Sequence, residues 1–126
     1  FSVEESRNIF VTNPKNLSLE EMFRLALTHT PGSETYNKIF MTAVQLFPDN
    51  PVANLNAACI SLMQRDVKSA GHYLEKAPEV PETALAKGVL YLLKNQYEEA
   101  ESFFRQAKAA GLSQADDNLK RILELK

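Results

Sequence analysis

Apolar residues recur along this chain at three- and four-residue steps, the spacing that places side chains on one face of an α-helix. Tyr36, Ile39, Phe40, Ala43 and Val44 are the clearest example, and polar or helix-breaking residues separate this stretch from the next. The pattern predicts eight helices: a short one before residue 12, then 19–29, 34–47, 51–63, 67–77, 81–93, 97–110 and 114–125.

Residues typical of helix ends support these boundaries. Ser18 and Glu21 have the spacing of a capping box, in which each side chain bonds the other's backbone N–H. Asn50 precedes Pro51, a combination typical of an N-cap followed by the first helical residue. Gly111 follows the seventh helix, where a left-handed residue commonly ends a helix. We therefore expect an all-α chain.

A group of three residues, small or aromatic, then bulky, then alanine, recurs along this series of helices. Its members are Tyr36, Phe40 and Ala43; Ala70, Leu74 and Ala77; Ala100, Phe104 and Ala107. The alanine recurs after 34 residues, from 43 to 77, and after 30, from 77 to 107. Such periods predict stacked two-helix units. We expect an N-terminal helix and linker at 1–16 and a repeat domain at 17–126, with units at 17–50, 51–80 and 81–112 and a capping helix at 113–126.

The third unit resembles the tetratricopeptide repeat family. Gly88 and Tyr91 match the small residue and tyrosine of that family's first helix, and Ala100, Phe104 and Ala107 match its second helix. The resemblance implies a right-handed α-α superhelix of about three helix pairs. Such domains bind other proteins and have no catalytic role of their own.

The other two units match less well. Ala58 keeps the small position of the second unit, but Ser61 replaces the tyrosine and Leu74 the aromatic residue. In the first unit Arg24 stands at the small position and Tyr36 at the first alanine. The step from the second unit to the third is four residues shorter than the family period, and we place this deletion at residues 78–81.

The resemblance also implies a concave groove lined by the first helix of each unit. Its residues here are Val52, Leu55, Asn56, Cys59, Leu62 and Met63 from the second unit, and Glu82, Leu85, Ala86, Val89, Leu92 and Leu93 from the third. This wall is apolar, as interaction surfaces often are. The alternative is that the N-terminal helix, the first unit or an upstream domain covers it.

Two functions remain open on this evidence. In the first, the groove binds a partner peptide or helix, and Asn56 offers a donor and an acceptor to its backbone. In the second, the repeats are a structural spacer or docking tail for an upstream domain. A free wall at Leu55, Val89 and Leu93 favours the first function, and burial of that wall under Ile9, Phe10 and Val11 favours the second.

Composition narrows the class of partner. The 126 residues carry a formal net charge of −2 with both signs interspersed, so we expect neither nucleic-acid binding nor attraction to an anionic membrane. No apolar run approaches the ~20 residues that a membrane-spanning helix needs. The partner is therefore expected to be a protein, with a homodimer through the apolar wall as one possibility.

Candidate chemistry is sparse. His29 and His72 fall in different units, and Cys59 is the single cysteine, with no histidine predicted beside it. A nucleophile needs a base within hydrogen-bond reach. We therefore expect no catalytic residues, no metal site and no cofactor.

A looser resemblance concerns the whole chain. The segments at 1–9, 19–22, 47–58 and 73–77 resemble the C-terminal repeat tail of Bacteroidales proteins of unknown function, whose upstream part has a segment like periplasmic outer-membrane-protein-A domains. This resemblance implies a C-terminal part of a longer protein, in the periplasm or at the outer membrane. Without it, a cytoplasmic location is expected.

Overall fold

The computed structural model describes residues 1–125, which form eight α-helices and no strand. The helices are α1 (Val3–Thr12), α2 (Leu19–Ala26), α3 (Glu34–Leu46), α4 (Pro51–Met63), α5 (Val67–Leu74), α6 (Pro81–Leu93), α7 (Tyr97–Ala109) and α8 (Gln114–Leu125), with a 3₁₀ turn at Pro14–Asn16. Helices consecutive in sequence pack against each other, and α4 also contacts α6. The prediction of an all-α chain is confirmed.

The predicted helix caps form. The Ser18 hydroxyl accepts from the Glu21 N–H at 3.1 Å, and a Glu21 carboxylate oxygen accepts from the Ser18 N–H at 2.8 Å. Hydrogen bonding of the carboxylate to the Ser18 backbone N–H, and to the Ser18 side chain, favours the ionised form and holds the pKa of Glu21 below its usual value. Asn50 likewise accepts from the Ala53 N–H at 2.9 Å, with Pro51 opening α4. Local polar residues thus fix where α2 and α4 begin.

Two of the predicted units repeat in backbone conformation. Helix α4 spans 51–63 and α6 spans 81–93, and each begins with proline. Each is followed by a left-handed residue, Arg65 with φ 59° and Asn95 with φ 60°. The next N–H then bonds a carbonyl five residues back, as in a Schellman turn: Asp66 to Ser61 at 2.8 Å and Gln96 to Tyr91 at 2.9 Å. The chain therefore reverses in the same way in both units.

Two predicted helix ends were wrong. Helix α2 stops at Ala26 instead of 29, and the Thr28 hydroxyl donates to the Leu25 carbonyl at 2.7 Å, which satisfies one of the final acceptors. Helix α5 stops at Leu74 instead of 77. Pro78 disfavours the helical conformation of the residue before it, so the second unit loses its last helical turn.

The core follows the helix pairs. One cluster joins α2 and α3, with Met22, Ile39 and Phe40 buried beside Leu17. A second cluster, with buried Ala58, Leu62, Leu74 and Leu90, joins α4, α5 and α6, and we call it the middle cluster. A third, with buried Ala100, Phe104, Ala107, Ala115 and Ile122, joins α7 and α8, and we call it the C-terminal cluster.

Gly88 of α6 lies in close contact with the Phe104 ring of α7. A methyl group at position 88 would lie 2.5 Å from Cδ1 and 2.9 Å from Cζ of the Phe104 ring. Phe104 is fully buried, so its ring has no free space into which to move. The missing side chain at 88 is therefore a packing requirement.

Gly88→Ala should lower the free energy of unfolding by about 1–3 kcal/mol, because the added methyl overpacks the α6–α7 contact. Gly71→Ala is the matched control. A methyl there meets only Leu90 Cδ2, at an ordinary 3.9 Å, so the gain in helix propensity should raise stability by about 0.5–1 kcal/mol. Urea denaturation of the two variants measures both effects, and a stabilised Gly88→Ala protein would contradict the packing argument.

Candidate functional site

The predicted groove residues of α4 form an exposed, uncharged stripe. Val52, Cys59 and Met63 are exposed, with Val52 at 47% and Met63 at 59% of their full surface. Asn56 lies between them, half-buried, and its amide makes no hydrogen bond to another described residue. Leu62 is buried in the middle cluster at 8% exposure and offers little surface. One side of helix α4 therefore faces solvent.

The groove residues of α6 are half-buried: Leu85, Val89, Leu92 and Leu93. Leu55 of α4 packs against the middle cluster, as do Val89 and Leu93 of α6. Leu85, Val89 and Leu92 also pack against the C-terminal cluster, which contains Ala115 and Ile122 of α8. The apolar wall is therefore most open on α4 and partly buried on α6. We use "apolar wall" for Val52, Leu55, Cys59, Met63, Val89 and Leu93.

The N-terminal helix does not lie on the apolar wall. Ile9 and Phe10 pack against the α2–α3 cluster, and Val11 is exposed. The start of α1 instead adjoins α2, where Val3 and Ser6 line a small pocket with Leu25.

Cys59 is exposed, but its surroundings do not favour ionisation of the thiol. Desolvation by the surrounding helices raises the pKa of its thiol above the usual value. A thiol with a raised pKa carries less thiolate at neutral pH and is a weaker nucleophile. This cysteine therefore acts as a small apolar group in the wall.

A second concave feature lies on the other side of α6, and the sequence analysis did not find it. It is an open cleft of about 1070 Å³ between α5 and α7, with α6 as its floor. The cleft exists because α5 is a short helix of 8 residues, against 13 in α7, and the chain then crosses to α6 through residues 75–80. In the sequence, the shortened step between the second and third units could have indicated this cleft.

Aromatic and basic side chains line this cleft. The rings of Tyr91 and Phe103 stack with centroids 5.4 Å apart and planes 9° from parallel. Lys87 Nζ lies 5.8 Å from the Phe103 centroid, and Lys94 Nζ lies 5.3 Å from the Tyr91 centroid. The stack is therefore a packing contact between α6 and α7, with one ammonium group over each ring.

The floor of the cleft contains Thr83 at 5% exposure. Its buried hydroxyl has no hydrogen-bond partner among the described residues. A buried polar group left unpaired destabilises the folded state.

Comparisons with known proteins add no identification. No protein-family model matches the chain, and no curated protein does. Within residues 1–125, no group of three or more His, Cys, Asp or Glu side chains could hold a metal ion. No helix among these residues is long and apolar enough to cross a membrane.

Thr83→Val should raise the free energy of unfolding by about 1 kcal/mol, because it removes the unpaired hydroxyl and keeps the shape of the side chain. Thr35→Val, at an exposed position of α3, is the control and should change stability by less than about 0.5 kcal/mol. Thermal or urea unfolding distinguishes them. Destabilisation by Thr83→Val would mean that its hydroxyl is satisfied in solution.

Proposed function

We propose that this chain is a tetratricopeptide-like repeat domain without catalytic activity, which binds a segment of a partner protein on its apolar wall. The observation that carries the proposal is the uncharged exposed stripe of Val52, Cys59 and Met63 on α4, together with the half-buried Leu55, Val89 and Leu93 that pack against the middle cluster. Apolar surface of this kind is stabilised when a partner covers it.

The repeated turns at Arg65 and Asn95 support the assignment of repeats. The small residues also support this assignment. In the third unit Gly88 leaves space for the Phe104 ring. In the second unit the corresponding residues, Ala58 and Leu74, lie in the same cluster. Helices α4 and α6, the first helices of these units, contact each other. This contact supports a binding face to which both helices contribute.

The apolar wall suits a short amphipathic or extended segment. Val52 and Met63 lie three turns apart on α4, a distance of about 16 Å along the helix axis. Asn56 lies between them with an unpaired amide that can bond the backbone of a bound segment. Since the described N-terminal helix packs elsewhere, the wall needs no displacement of Ile9 or Phe10 before binding.

Val89 is a poor position for testing this proposal, although the sequence alone favours it. Its side chain packs against both the middle and the C-terminal clusters, so Val89→Asp would bury a charge and destabilise the fold. Met63 is exposed and suits the test better, because an aspartate there stays hydrated in the free protein.

Met63→Asp should weaken the binding of partner segments at least about 10-fold, since a bound methionine side chain contributes roughly 1.5–3 kcal/mol. Random 12-residue peptides displayed on phage and selected on the wild-type chain supply the ligands, and fluorescence anisotropy measures their Kd. Leu123→Asp on α8, an apolar-to-acidic change at a similar 65% exposure, is the control and should leave Kd unchanged.

Two outcomes would contradict the proposal. Selected peptides that bind Met63→Asp as tightly as the wild type would place the binding surface elsewhere. Failure of every selection, together with destabilisation of the monomer by Met63→Asp, would mean that the wall is internal and would favour a structural spacer or docking tail. Light scattering on the wild type shows whether a second copy occupies the wall.

A further inference from the structure

The methionines of this chain differ in how far their sulfur atoms are open to solvent. The chain has three, and all lie within residues 1–125. Met22 is fully buried, and Met41 is half-buried against the clusters that α2, α3 and α4 form. Met63 is exposed at 59% of its full surface. Because oxidation of a side chain follows its exposure, a dissolved oxidant reaches the Met63 thioether first.

Cys59 is the other sulfur on the apolar wall, and it is a weak competitor for an oxidant. It lies one helical turn before Met63. Desolvation raises the pKa of its thiol, so little of the thiolate that reacts with oxidants is present at neutral pH. A thioether has no proton to lose and reacts as it stands. The exposed Met63 is therefore the more oxidation-sensitive group of the wall.

Met63 also lies where a bound segment would meet its sulfur. It is the last residue of α4, and a methyl group at Gly32 would lie 4.0 Å from Met63 Sδ. The sulfur is thus close to the turn between α2 and α3, at one end of the α4 stripe that begins at Val52. A partner segment that covers this end of the wall contacts the thioether.

Oxidation by hydrogen peroxide changes the chemistry of this contact. A lone pair of Met63 Sδ attacks one peroxide oxygen, an S–O bond forms and the O–O bond breaks. The departing hydroxide takes the proton from the transferred oxygen, so the products are a sulfoxide and water. Sulfur loses two electrons and the peroxide gains them. A flexible apolar side chain thereby becomes a polar hydrogen-bond acceptor.

The sulfoxide affects the bound state more than the free protein. In the free protein the Met63 side chain is exposed, so water hydrates the new S–O group and the fold is unchanged. A bound segment removes that water. The other wall side chains offer no strong donor in its place, since Val52, Leu55, Val89 and Leu93 are apolar and the Cys59 thiol donates weakly. A buried polar group without a partner disfavours the complex.

We propose that Met63 is a redox-sensitive switch of the apolar wall: a peroxide oxidises its thioether to the sulfoxide, and the sulfoxide releases the partner segment. This inference rests on the proposed function, because it concerns the regulation of binding at the same surface. The change is reversible. A methionine sulfoxide reductase consumes two thiols, which become a disulfide, and releases the sulfoxide oxygen as water.

The test treats the whole chain with dilute hydrogen peroxide, removes the excess with catalase, and locates the added oxygen by tandem mass spectrometry. Met63 should be oxidised at least about 10-fold faster than Met41 or Met22. Wall-binding peptides without methionine or cysteine should bind the oxidised chain at least about 10-fold more weakly by fluorescence anisotropy. The melting temperature should change by less than about 2 °C.

Reductants separate the two kinds of sulfur. Methionine sulfoxide reductases with dithiothreitol should restore the original Kd. Dithiothreitol alone, which reverses disulfide and sulfenic-acid formation at Cys59, should leave binding weak. Recovery with dithiothreitol alone would overturn the proposal and assign the effect to the cysteine.

Two variants complete the test, and the measured quantity is the ratio of each variant's Kd after and before peroxide. Met41→Leu should show the same loss of binding as the wild type. Met63→Leu has no sulfur to oxidise, so its ratio should be about 1, whatever its initial Kd. An equal loss in Met63→Leu, or a marked fall in the melting temperature of the oxidised wild type, would overturn the proposal in favour of damage elsewhere.

The outcomes also distinguish this inference from the proposed function. If Met63→Asp weakens peptide binding but peroxide treatment of the wild type does not, only the redox switch is wrong. If no peptide can be selected, or the selected peptides bind Met63→Asp as tightly as the wild type, the proposed function and the switch are both wrong.

Discussion

The arrangement of this chain depends on the close contact between Gly88 and Phe104. With no side chain at 88, the α6 backbone approaches the buried ring of α7 to a distance that a single methyl would prevent. The contact fixes both the separation of the two helices and the rotation of α6 about its own axis. Because side chains on a helix project in fixed directions, that rotation decides which residues of α6 face which surface.

The consequence is a two-sided helix. One side places Val89 and Leu93 in the apolar wall, where they pack against the middle cluster. The other side places Lys87, Tyr91 and Lys94 in the cleft. A small rotation of α6 would move the aromatic stack out of the cleft and Val89 and Leu93 out of the wall, so both surfaces depend on the same glycine.

The sequence predicts most of the fold because local residues specify it. Pro51 and Pro81 open α4 and α6, and the Ser18–Glu21 box opens α2 at the expected residue. Helix ends are less well determined. The residues that follow α2 and α5 have side chains that suit a helix, yet both helices end before them. Pro31 and Pro78 disfavour the helical conformation of the residue before each proline. The short step between the second and third units also leaves α5 no room to continue.

The surfaces are harder to predict than the helices. The positions of the groove residues follow from helical spacing. Their exposure, however, depends on tertiary contacts such as the packing of Leu85 and Leu92 against the C-terminal cluster, which no local pattern indicates. The cleft arises from a missing helical turn in α5 and from residues of three helices. The only local pattern that relates to the cleft is the spacing of Lys87, Tyr91 and Lys94 on one face of α6. That pattern indicates a cleft lining only once Phe103 of α7 is known to lie opposite.

The most direct test of this account is a double-mutant cycle between Gly88→Ala and Phe104→Leu, measured by urea denaturation. The double variant has the alanine and leucine that the second unit already carries at Ala58 and Leu74. If the ring is what excludes the methyl, Phe104→Leu should relieve the effect of Gly88→Ala, with a favourable coupling of at least about 1 kcal/mol. Additive effects, within about 0.5 kcal/mol, would show that this contact does not set the position of α6.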